Sequence, residues 1–313
     1  GALGAALALW HQELKKERSV PLVDKMQGSY LGPSFSNDEI QEALTSLGAT
    51  FKKLPEEELL KITALELSNK HNYQKSAKDA LNGIGITYMD KDEHGKAIPY
   101  LLDAVDILED LRKTASGNTR RDYVSTQIPI YEHLYRSYSK IKDFKNVYNT
   151  VELSRAKLLS ERLVGIDSLV VIPDLSTVQS ALSSNQAIII YADIDWENLI
   201  EIIITNDTII GIEVPDSILI STLYPDNEEA TLELAVKSYR IFVKSLSESD
   251  QIAKFSSSFY DLLIDPITSY LENKSDLIII PEGILGYLPF ETFINNNGQY
   301  LVETHDITYA QSV

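Results

Sequence analysis

The sequence predicts an all-α stretch of helical repeats followed by the opening of an α/β layer. Three observations carry this expectation. Residues 71–163 keep a helical apolar period and contain a pattern that recurs after a shift of fifty residues. After Gly165 the character changes to β-rich runs separated by turn residues. Leu277-Ile278-Ile279-Ile280 is a short, wholly apolar run, the kind buried on both faces of a sheet between helices.

Of 313 residues, 44% are hydrophobic and 24% charged, the profile of folded material with room for two or three cores. Asp plus Glu number 46 against 28 Lys plus Arg, a net charge of −18. Such a surface repels phosphate backbones and anionic lipid heads, so neither nucleic acid nor a membrane is expected as a partner. Cysteine is absent, which excludes a disulfide framework, a thiolate metal site and a cysteine nucleophile within these residues. No run reaches the roughly 18 apolar residues of a membrane span. The apolar opening Gly1–Trp10 has no basic region before it and no initiator Met, so it reads as the broken end of a larger chain rather than a signal peptide. The expected location is cytoplasmic.

Taken in order, Gly1–Lys16 reads as a helix with Leu3, Leu7 and Trp10 at helical spacing. Ser36-Asn37-Asp38-Glu39 is a helix start in which Ser36 caps and Glu39 answers it. Pro55 before Glu56, Glu57 and Glu58 starts another, ending near Lys70. From His71 to about Leu163, Ile84, Gly85, Tyr88, Ala97, Leu101 and Ala104 fall at the offsets of the 34-residue TPR template. Adding fifty to each number gives Leu134, Tyr135, Tyr138, Val147, Val151 and Ser154, with the small residues Gly85 and Ala97 replaced by Tyr135 and Val147. Each hairpin leaves an apolar face that only a neighbour can cover, so two units imply a short stacked array. Leu111–Arg121, with Gly117 and Asn118, is a polar break between them.

Beyond Gly165, residues 187–191, 199–205 and 209–214 read as strands, the last two joined by an Asn206-Asp207 hairpin turn. Glu228–Leu246 and Ile252–Leu271 read as amphipathic helices, the second broken or kinked at Pro266. The apolar strand at 277–280 follows.

The segment from Leu277 through Pro281-Glu282-Gly283 to Leu288-Pro289-Phe290 and Phe293 resembles the signature of the CHAT domain, a caspase-like fold found with TPR repeats. Tyr300-Leu301-Val302-Glu303 and Ile307-Thr308-Tyr309-Ala310-Gln311-Ser312 are similar to later segments of that family, and Glu152–Leu159 looks like the helix that joins its TPRs to its CHAT part. The resemblance implies TPR-like repeats over 71–165 followed by the N-terminal part of a caspase-like α/β domain over 166–313. Pro281, Gly283, Leu288, Pro289 and Phe290 are then architectural: a turn ends the buried strand, Pro289 redirects the chain, and Phe290 fills the core. In active members a His and a Cys perform peptide hydrolysis, the thiolate attacking the scissile carbonyl. Both lie beyond the segment matched at Ile307–Ser312, and His305 precedes it, so no catalytic residue is assigned. The implied partner is a protein or peptide bound by the TPR-like helices. Self-association through the exposed face or edge of the incomplete sheet is expected as well.

Gly1-Ala2-Leu3-Gly4-Ala5-Ala6-Leu7 and Tyr30–Ile40 are similar to the region of nodulation- and cephamycin-type O-carbamoyltransferases that joins their two catalytic parts. The metal-binding Asp before the helix and the Gly-Arg-x-x-Phe-Gly-Pro-Arg-Ala segment of that family are absent, so residues 1–70 form a carbamoyltransferase-like fragment without a site.

No metal or cofactor site is expected elsewhere. Asp90-Lys91-Asp92-Glu93-His94-Gly95 begins like a calcium loop, but its twelfth position is Leu101 where a bidentate Glu is required. Asp193, Asp195 and Glu197 read as a solvated hairpin loop, and His11, His71, His94, His133 and His305 have no ligand spacing. Gly83-Ile84-Gly85 lies in a helical pattern without the third glycine of a dinucleotide loop.

Overall fold

Ser36 caps its helix by the expected reciprocal pair: its hydroxyl accepts from the Glu39 backbone N–H at 3.2 Å, and its own N–H donates to the Glu39 carboxylate at 2.6 Å. Helix α1 (Asn37–Ser46) follows and buries no residue. It belongs to the first of two units of the chain, Gly1–Leu54 and Pro55–Val313. A computed structural model describes residues 35–51, 53, 55–70, 73–114, 128–163, 172–195, 198–215, 217–227, 229–245 and 249–313. The helix expected at Gly1–Lys16 and most of the Leu111–Arg121 break lie outside these residues.

The second unit opens with α2 (Glu56–Lys70), α3 (Gln74–Met89), α4 (His94–Thr114), α5 (Ile128–Lys140) and α6 (Phe144–Leu163), each packed on the next. Leu111–Thr114, expected in a break, complete the last turn of α4. The fifty-residue shift is visible in the backbone itself. Asp92 and Lys142 both take positive φ, 57° and 61°, at the same step of the α3–α4 and α5–α6 turns. Glu93 N–H donates to Tyr88 carbonyl at 2.8 Å, and Asp143 N–H donates to Tyr138 carbonyl at 2.9 Å. Ile84, Tyr88, Ala97, Leu101, Ala104, Leu134 and Tyr138 are all buried between the helices. At Gly85 a Cβ would come within 2.5 Å of Leu101 Cδ2, which is why a glycine stands there. The second hairpin makes the opposite trade, with bulky Tyr135 in place of glycine and the smaller Val151 in place of leucine, both buried.

Five strands form one sheet in the order β3-β2-β1-β4-β5: β1 (Gln186–Asp195), β2 (Asn198–Ile204), β3 (Ile209–Pro215), β4 (Asp276–Ile280) and β5 (Asp306–Tyr309). The first three make an antiparallel meander turned at Asn206-Asp207, where Thr205 Oγ1 donates to Asp207 at 2.8 Å. β4 joins β1 in parallel, pairing Ile188 with Ile278, and β5 joins β4 in parallel, pairing Leu277 with Ile307. The β1–β4 crossover carries α8 (Ser217–Leu223), α9 (Leu232–Ser245) and α10 (Ser249–Leu263), after a short α7 (Leu175–Ala181) that precedes β1. Helix α9 begins at Leu232 rather than at the expected Glu228, because Thr231 caps it by accepting from the Leu234 N–H at 3.2 Å, while Asn227 accepts from the Glu229 N–H in the turn before. At Pro266 the expected break is sharp, since α10 stops at Leu263 and Asp265–Tyr270 is a 3₁₀ turn.

Period-two alternation then divides the sheet's side chains between two cores. Ile188, Ile190, Ile200, Ile202, Ile204 and Ile280 face the helical hairpins and share one cluster with Leu101, Leu134 and Tyr148. Ala187, Ile189, Leu199, Ile203, Leu277 and Ile279 face α8–α10 and share the other with Tyr239, Phe259 and Phe293. The hairpins thus form one outer layer of a three-layer arrangement. β4 is covered on both faces and paired on both edges, so the open edges among the described residues are those of β3 and β5 rather than that of the 277–280 strand.

Candidate functional site

In open sheets with parallel strands, functional groups collect outside the carboxyl ends of those strands. Here that position is occupied by the turn after β4. Pro281 and Glu282 leave the strand, and Gly283 adopts φ 54° with nothing within 4 Å of where a Cβ would stand, so backbone conformation rather than space favours glycine. A 3₁₀ turn (Gly283–Tyr287) buries Leu285, and Leu288 is buried just after it. Pro289 redirects the chain into a second 3₁₀ turn (Phe290–Thr292).

Phe290 is fully buried and contacts three rings: Tyr191 at 5.4 Å, Phe293 at 5.0 Å and Tyr309 at 6.2 Å between centroids. Its N–H donates to the Tyr309 hydroxyl at 2.9 Å, and that hydroxyl donates to the Glu291 carboxylate. Burial, reinforced by the Glu291 charge, raises the Tyr309 phenol above its ordinary value, so Tyr309 remains a donor at neutral pH. Ser256 and Tyr239 anchor Thr292 from the helical layer on the same side. Pro281, Gly283, Leu288, Pro289 and Phe290 are therefore brought together at the ends of β4 and β5.

The helical hairpins reach the same place from the other face. Arg155 of α6 is nine-tenths buried; its guanidinium donates to the Tyr191 carbonyl in β1 and to the Glu282 carboxylate at 2.9 Å. One turn earlier, buried Glu152 accepts from the Val313 N–H at 3.1 Å. Burial pushes the Glu152 carboxyl up, and the Val313 hydrogen bond and Arg155 pull it back. Arg155 Nη1 and Glu152 Oε1 lie 3.7 Å apart, both without a hydrogen bond among the described residues. A carboxylate–guanidinium–carboxylate chain thus ties α6 to the ends of β1 and β4 and to the segment after β5.

The charged groups of this arrangement are mutually paired, the chain has no Cys, and no metal-binding cluster of His, Asp and Glu occurs among the described residues. His305 precedes β5 and so lies by the amino ends of the parallel strands, with Nδ1 2.8 Å from Thr304 Oγ1. His94 is buried against Ser137 and Asp92 in the α3–α4 turn, and His133 pairs with Asn82 at 3.0 Å; burial lowers both imidazoles. Asp90–Glu93 form that turn, and His94 and Gly95 open α4. Asp193 and Asp195 stand in the last part of β1, and their side chains lie outside the description.

Sequence reasoning missed the Glu152–Arg155–Glu282 chain. The i, i+3 acid–base pair on α6 was visible, but its partner stands 127 residues later. Buried Glu201 in β2 was missed too, although a lone acid inside Leu199-Ile200-Glu201-Ile202-Ile203-Ile204 was a readable signal.

Among proteins of known families, residues 253–313 match the CHAT domain, a stretch that begins within α10 and takes in β4, the turn after it and β5. The chain is also similar to an uncharacterized protein of Synechocystis sp., 59% identical over 44 residues. That stretch is 14% of this chain and 7% of the relative, so the chain covers a small part of that protein's length. No described helix is long and apolar enough to cross a membrane.

Proposed function

We propose that this chain is part of a TPR–CHAT protein of the caspase-like cysteine peptidase family, in which the helical hairpins bind a protein or peptide and the dyad comes from residues outside these 313. The CHAT match at 253–313 carries the reading. The buried β4, the Pro281–Gly283 turn and the Phe290 cluster support it, because they build a rigid platform at the strand ends where such folds do their chemistry. The turn geometry repeated at Asp92 and Lys142 supports TPR-type hairpins. Sequencing the gene beyond the Val313 codon tests the peptidase part. A His and then a Cys, each after an apolar strand, are expected; an extension with neither ends it.

A second reading, a non-catalytic adaptor, is favoured by the cysteine count of zero. Deleting residues 71–163 does not discriminate, since these helices share a core with the sheet. Exposed residues of α3 do: Gln74→Lys with Lys75→Glu should reduce partner recovery in a pull-down while melting is unchanged. Equal recovery would count against binding by the hairpins. Self-association through the open edge of β5 is the remaining part of the proposal, and a concentration-independent monomer in light scattering would remove it.

A further inference from the structure

A cavity of about 260 Å³ lies beside β3 and is touched by four consecutive residues, Ile212, Glu213, Val214 and Pro215. Its remaining lining comes from α8, α10 and Pro266, so the cavity lies where the helical layer on one face of the sheet meets the outer edge of β3. The other edge of β3 is paired with β2 along its whole length, and no strand among the described residues pairs with this one. Its N–H and C=O groups are those of an edge strand, which another extended chain can use, as far as Pro215, which has no N–H to offer.

The cavity's interior is apolar, with Val214, Leu219 and Leu262 buried and Ile218 65% exposed among its lining residues. Ser258 lines it as well, 8% exposed, with a hydroxyl that makes no hydrogen bond among the described residues. Glu213 is already met by Ser139 and Lys140 of α5. Asp261, another lining residue, is not: neither it nor nearby Asp265 has an ion pair among the described residues. Burial and the Asp265 charge together raise the Asp261 carboxyl, which is the mark of carboxylates left without a counter-charge.

We propose that the outer edge of β3 and this cavity form a docking site for an extended cationic peptide. The peptide adds as a strand, sets one side chain of leucine or isoleucine size into the cavity, and brings a Lys or Arg to Asp261. Charge selects the occupant: a chain of net charge −18 presents open carboxylates at an apolar slot, so an acidic partner is repelled and a basic one is drawn in. Backbone pairing supplies the affinity and the cavity the register. The site is at the far edge of the sheet from β5, and it does not depend on the peptidase reading.

The test uses the full chain and the acetylated, amidated peptide Lys-Val-Thr-Leu-Thr-Val-Lys, followed by calorimetry and amide exchange. Binding is expected, with slowed exchange at residues 209–214 and no binding of the version in which both Lys are Glu. Asp261→Asn should weaken binding about threefold, as should raising the salt. Ile218→Ala, at an exposed position, should weaken it by a similar factor of about three without changing the melting temperature. No heat up to about 1 mM peptide, equal affinity for the two peptides, or protection elsewhere overturns the proposal. Protection of 209–214 without peptide, in a dimer seen by sedimentation, overturns it too, because a second copy would then hold the edge.

Discussion

Arg155 and Glu282 are 127 residues apart in sequence and 2.9 Å apart in space. The bond joins α6 to the turn that ends β4. With Glu152 and the Tyr191 carbonyl it forms a buried polar link through the same layer boundary that the Ile188–Ile280 face fills with apolar packing. The helical hairpins are thus part of the sheet's core rather than an appendage.

Removing Arg155 leaves Glu152 buried and Glu282 partly buried without their cation, and unpaired buried charge is costly. Arg155→Met is expected to lower unfolding stability by about 2–4 kcal/mol. Glu282→Gln alone should lower it less, and the double variant should fall short of the sum because both changes break one bond. Urea denaturation measures all three, and strict additivity would show that the bond does not couple the two layers.

Glu201 is fully buried, and neither carboxylate oxygen has a hydrogen-bond partner among the described residues. Burial raises its carboxyl well above the ordinary 4.5, so the folded protein keeps a proton that the unfolded chain releases. Folded-state proton affinity above the unfolded value gives stability that is complete below pH 4.5 and is lost as the pH rises towards the folded value. Glu201→Leu should therefore stabilise by about 1–3 kcal/mol at pH 8, and much less at pH 4. Melting temperatures across that range check it. A variant less stable than the parent at pH 8 would mean that Glu201 has a function in the fold.

Gly211 stands where β3 meets the first turn of α6, and a Cβ there would lie 2.2 Å from Phe144 Cδ1. Gly211→Ala is expected to cost about 1–3 kcal/mol through overpacking. Phe144→Leu in the same chain should recover part of that loss in a urea titration, whereas no recovery would place the strain in the backbone of β3.

Much of this was legible in the sequence for local reasons. The Ser36–Glu39 capping box, the Asn206-Asp207 turn and the stop before Pro266 depend on neighbours a few residues away, and each stands where the residues put it. The 277–280 run announced a strand buried on both faces because every one of its residues is apolar. What covers those faces was not legible. Nothing in Ile84 or Leu134 says that their hairpins lie against Ile190 and Ile202, and a salt bridge between Arg155 and Glu282 has no local trace. Nor was the neighbour of the 277–280 strand legible, because β5, which pairs with it, is short and polar at Asp306 and Thr308.

The most direct measurement is proteolysis by the intact gene product. Incubated with a mixed pool of unfolded proteins, with and without iodoacetamide, it should generate new amino termini detectable by mass spectrometry, and the thiol reagent should abolish them. No cleavage in either sample, or cleavage unaffected by iodoacetamide, would contradict the assignment to a cysteine peptidase.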